Sequence, residues 1–86
     1  MTRVRVRCSI EARQVTVDNL AEVAKWIDGI VIGVRLPPAD QAVRFLNRDH
    51  EEHDANVGMW IVLFELVKGR RYGIVLAPEM FADMFV

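Results

Sequence analysis

Residues 57–86 constrain this chain more than any other stretch. They open with a nearly unbroken apolar run: Val57, Met59, Trp60, Ile61, Val62, Leu63, Phe64, Leu66 and Val67. The polar turn Lys68-Gly69-Arg70-Arg71 follows, then Tyr72-Gly73-Ile74-Val75-Leu76-Ala77. Two apolar runs of strand length about a glycine turn predict a buried hairpin, 57–67 with 71–77. Pro78 suits the first position of a closing helix, on which Met80, Phe81, Met84 and Phe85 share one face. A hairpin this apolar must lie at the centre of whatever forms around it. Val23, Ile27, Ile61, Leu63, Ile74, Leu76 and Phe81 are the expected core.

Residues 3–12 alternate strictly. Val4, Val6, Cys8, Ile10 and Ala12 fall on one side, and Arg3, Arg5, Arg7, Ser9 and Glu11 on the other. Period two predicts a half-buried strand with the charged side in water. Asp18 is a good N-cap for a helix over 19–28. Leu20, Val23, Ala24 and Ile27 form its apolar stripe, and Gly29 is the expected left-handed terminator. Ile30 to Leu36 and Gln41 to Arg48 read as a second hairpin, broken by Pro37-Pro38-Ala39-Asp40. Residues 49–56 read as a polar, exposed connector, dispensable for folding. The predicted order is β-α-β-β-β-β-α. That is a single α+β domain, 1–86, with a small five-stranded, mainly antiparallel sheet, open or partly curled into a barrel, and two short helices.

Composition narrows the function classes. Eleven basic residues against twelve acidic leave a net charge of −1. That balance removes the sequence-independent phosphate attraction on which most nucleic-acid binders rely. One cysteine, Cys8, makes neither an internal disulfide nor a cysteine-based zinc site. No run approaches the roughly 18 apolar residues of a membrane span, and the basic N-terminus lacks the apolar segment of a signal peptide. The expected location is cytoplasmic. No nucleophile elbow or phosphate-cradling glycine loop is present. The expectation is a non-enzyme without a cofactor.

Few residues could carry chemistry. His50 and His53 sit among Asp49, Glu51, Glu52 and Asp54 and could hold a metal, the basis of a third and weaker reading as a small metal-dependent enzyme. Their i, i+3 spacing on an expected loop is not the i, i+4 helical spacing of the zincin pair, and a solvated loop explains them as well. Arg3, Arg5 and Arg7 could follow phosphates or an acidic partner, or simply protect a sheet edge. They are the basis of the competing reading, a nucleic-acid or nucleotide-binding regulator. Trp26 lies off the central stripe of its helix and is either a core-edge residue or an interface anchor. Trp60 and Met59 are expected to alternate on the central strand, so one of them faces the second side of the sheet. If helices cover only one side, the other needs a partner. A symmetric homodimer is the expected solution.

Four segments together resemble a family of small, largely uncharacterised bacteriophage proteins, many from phages of actinobacteria. They are Glu11-Ala12-Arg13-Gln14-Val15, the helix over 19–29, and Val57-Gly58-Met59-Trp60-Ile61-Val62 with Pro78-Glu79-Met80-Phe81 downstream. The likeness covers about two-thirds of the chain and leaves residues 30–56 unmatched. Met59 stands where the family usually has Asp, and Met84-Phe85 where it has an aromatic-rich ending. The resemblance implies an accessory role in the host cytoplasm, through an unidentified host protein or through self-association. It implies no catalytic residue.

Overall fold

A computed structural model of the chain describes residues 9–47, 50–67 and 70–85. The elements are β1 (Ser9–Gln14), α1 (Leu20–Ile27), β2 (Ile30–Ile32), a 3-10 turn (Pro38–Asp40), β3 (Ala42–Leu46), β4 (Glu52–Asn56), β5 (Trp60–Val67), β6 (Arg70–Leu76) and α2 (Pro78–Met84). They make two three-stranded antiparallel sheets, ordered β1-β5-β6 and β2-β3-β4. The fold is α+β, as the sequence predicts, but the described residues form six strands in two sheets rather than five in one, and they do not close into a barrel.

The extra strand is β4, in the segment read as a connector. Its inward positions hold only Ala55 and His53, opposite Val43 and Phe45 of β3. A strand whose buried face offers one methyl group and one imidazole carries too little apolar signal to be read as a strand. β2 is correspondingly shorter than expected. The chain turns at Gly33, where the Leu36 N–H donates to the Gly33 carbonyl at 2.8 Å, before the prolines are reached.

The stripe on α1 behaves as its spacing predicts: Leu20, Val23, Ala24 and Ile27 are buried. Its ends do not. The boundary residue is Asn19 rather than Asp18, and the left-handed residue is Asp28 (φ 60°) rather than Gly29. Gly29 is needed for proximity instead. A Cβ there would lie 2.3 Å from the Arg44 carbonyl oxygen, so only glycine lets α1 meet β3 this closely.

The core lies between α1, one face of the β1-β5-β6 sheet and the inner face of the β2-β3-β4 sheet. Val15, Val23, Val43, Phe45, Ala55, Ile61 and Leu63 form its centre. Of the expected core, Val23, Ile27, Ile61, Leu63 and Leu76 are buried, whereas Ile74 and Phe81 are half-buried. Removing apolar area of this kind from water contributes about 25 cal/mol per Å².

Asn47 ties the two sheets together. It is 6% exposed, and its side chain docks on the outer edge of β6. Nδ2 donates to the Gly73 carbonyl at 2.9 Å, and Oδ1 accepts from the Gly73 N–H at 2.9 Å. One amide side chain thus replaces a neighbouring strand for one residue.

Candidate protein-binding surface

The strand register divides the β1-β5-β6 sheet into two faces. Glu11, Arg13, Ile61, Leu63, Gly73 and Val75 look toward α1 and the core, because directly opposed residues share a face. Ile10, Ala12, Trp60, Val62, Phe64, Tyr72, Ile74 and Leu76 make the other. This reverses the expectation for the first strand. Glu11 and Arg13 lie on the helix side, and Ile10 and Ala12 are exposed. Alternation separates two faces of a strand without saying which one a helix covers. Here the cover over β1 is Trp26, whose indole N–H donates to the Glu11 carboxylate at 2.8 Å. The Arg13 guanidinium sits 4.9 Å from the centre of the same ring. An indole at the edge of a core needs a polar acceptor, and Glu11 supplies it.

The second face is built in cross-strand rows. At one end, Trp60 pairs with Leu76, and Phe81 of α2 stacks on the Trp60 ring at 3.8 Å and 1°. Phe85 stacks in turn on Phe81 at 5.1 Å. One row in, Val62 is 0% exposed. The row at the other end, Ile10–Phe64–Tyr72, has no such lid among the described residues: Ile10 is 49% and Tyr72 43% exposed. Met80 and Met84 of α2 also face water. A seven-residue helix is too short to roof three strands, so it closes one end of the sheet and leaves the other open.

The outer face of the β2-β3-β4 sheet also exposes Ile30 and Leu46, but a charge pair divides it. Arg44 grips Asp54 with two parallel bonds, Nε to Oδ1 at 2.8 Å and Nη2 to Oδ2 at 3.0 Å. That bond holds the Asp54 carboxyl below its usual range and raises the Arg44 guanidinium above its own.

The other sequence-predicted residues divide clearly. Trp60 lies beneath Phe81, and Trp26 is held by Glu11 and Arg13, so both are spent largely on internal contacts. Met59 is not on the central strand: it precedes β5, in a turn where its N–H donates to the Asn56 carbonyl at 3.0 Å. His50 is exposed with φ 64°, whereas the half-buried His53 ring stacks on Phe45 at 5.4 Å. Among the described residues, no group of three or more His, Cys, Asp or Glu side chains gathers where a metal could bind. Arg3, Arg5, Arg7 and Cys8 lie outside the described residues. No described helix is long and apolar enough to cross a membrane.

Sequence reasoning missed Tyr72 and Ile10 as surface residues and Asn47 as a bridge. The first two required the register, which no single strand contains. No family model, curated protein or solved structure matches the chain.

Proposed function

We propose that this chain is a non-enzymatic protein-binding domain that self-associates as a dimer. In this reading it is an accessory protein of the bacteriophage kind that its sequence resembles, acting in the cytoplasm of the infected host. The carrying observation is the row Ile10–Phe64–Tyr72, open to water on a sheet whose other end is roofed by α2. A small domain gains by covering such a surface with protein, and a closed twofold contact is the commonest way to do so.

Light scattering across micromolar concentrations tests the reading. A mass near twice 9.9 kDa supports it, and a mass of 9.9 kDa throughout contradicts it.

A further inference from the structure

We propose that a second copy of the chain adds to β1, antiparallel and about a twofold axis at Ala12. The two β1-β5-β6 sheets then form one continuous sheet of six strands. The proposal rests on the self-association reading and assigns it the β1 edge and a register; the contact runs edge to edge and continues the Ile10–Phe64–Tyr72 row into the partner's sheet rather than covering its face.

The first argument is the hydrogen-bonding state of the two edges. On β6, Asn47 occupies both backbone groups of Gly73. On β1, the groups facing away from β5 follow from Val15. Its N–H donates to the Met59 carbonyl at 2.8 Å and its carbonyl accepts from the Gly58 N–H at 2.7 Å, so Val15 faces β5. Antiparallel alternation then points Gln14, Ala12 and Ile10 outward. Asn19 confirms the parity: its Nδ2 donates to the Gln14 carbonyl at 2.8 Å, and its Oδ1 accepts from the Thr16 N–H at 2.7 Å. A second asparagine thus plugs this edge from Gln14 onward. The outward groups of Ile10 and Ala12 have no partner among the described residues. Unplugged edge backbone is a template for strand addition.

The second argument is charge. Ser9 to Arg13 are all exposed, and Glu11 and Arg13 carry opposite signs on either side of Ala12. An axis at Ala12 sets each Glu11 opposite the partner's Arg13, twice per dimer, while Ala12 meets the partner's Ala12 through outward backbone groups. An axis at Glu11 opposes two carboxylates, and one at Arg13 opposes two guanidiniums. Axes at Ile10 or Gln14 leave Glu11 and Arg13 without an opposite charge across from them. Like charges directly opposite destabilise a strand pair and unlike charges support it. This register opposes unlike charges and pairs Ala12 with Ala12 through outward backbone groups, while Ile10 meets the partner's Gln14, whose carbonyl also accepts from Asn19 and is shared between the two. It also lines up Ile74, Val62 and Ala12 with the partner's Ala12, Val62 and Ile74 in a single apolar row.

Cysteine crosslinking in a Cys8→Ser background tests the register. At the axis, the Ala12 Cα atoms would be about 5.5 Å apart, within the range of about 4.4–6.8 Å that a disulfide spans. Ile10 would lie about 14 Å from its copy, four residues along the strand. Ala12→Cys should crosslink nearly completely under mild oxidation, and Ile10→Cys should not. Glu11→Arg should weaken association at least tenfold, and adding Arg13→Glu should restore it, with thermal melting to confirm that each variant folds. A dimeric mass with no Ala12→Cys crosslink, or with no response to the charge swap, overturns this interface and leaves self-association standing. A mass of 9.9 kDa at every concentration overturns both.

Discussion

The side chain of Asn47 and the backbone of Gly73 close a two-way hydrogen-bonded ring, with both bonds at 2.9 Å and both partners buried. The contact joins the end of β3 to the middle of β6 and fixes how the two sheets meet. Removing the amide strands a buried N–H and a buried carbonyl, each costing about 1–3 kcal/mol when left unpaired. Asn47→Ala should therefore lower stability by about 2–4 kcal/mol in denaturant unfolding. Asn47→Asp should be nearly as damaging, because a carboxylate cannot donate to the Gly73 carbonyl. Equal stability of Asn47→Asp and the parent would show that the ring does not hold the sheets.

Gly73 is constrained from its other side as well. A Cβ at this position would lie 2.8 Å from Phe45 Cε2 and 3.4 Å from Ile27 Cδ1. Gly73→Ala should cost about 1–3 kcal/mol, the usual range for overpacking a core. Combining it with Phe45→Leu should cost less than the sum of the two single changes. Strict additivity in that double-mutant cycle would place the strain elsewhere.

Much of this arrangement can be read from the chain, for identifiable reasons. The 3.6-residue stripe of Leu20, Val23, Ala24 and Ile27 predicts α1 because burial alone defines that helix. Ile61 and Leu63 are apolar enough to identify a central strand without any partner. β4 is not legible, because its inward residues are a histidine and an alanine. Nor is the role of Asn47, since an asparagine after a strand more often signals a turn. The open row Ile10–Phe64–Tyr72 exists only once three strands are in register, so local patterning cannot reveal it.

The two histidines should separate sharply on mutation. His50 is exposed in a turn, and His50→Ala should change stability by no more than about 0.5 kcal/mol. His53 covers the Phe45 ring from β4, and His53→Ala should cost about 1–2 kcal/mol through lost ring packing. Thermal melts of the two single variants at neutral pH check this. Equal, negligible effects would return 52–56 to the status of a solvated connector.

The Arg44–Asp54 pair predicts a pH dependence with a defined sign. Hydrogen bonding to Arg44 lowers the Asp54 carboxyl below its unfolded value, so the folded state favours the charged form. Its contribution is fully present above the unfolded pKa, about 3.9 for Asp. It is lost as pH falls through the lower folded value. Asp54→Asn should lower stability at pH 7 and have less effect at the acid end of the titration. An effect that does not shrink toward low pH would contradict the assignment.

Amide hydrogen exchange at Ala12 tests the central claim most directly. Its N–H points away from β5 and has no partner among the described residues, whereas the Val15 N–H is bonded to Met59 at 2.8 Å and serves as an internal reference. If a second copy adds at β1, protection at Ala12 should rise with protein concentration through the micromolar range while protection at Val15 stays constant. An Ala12 amide that exchanges at the same unprotected rate in dilute and concentrated samples would contradict the account.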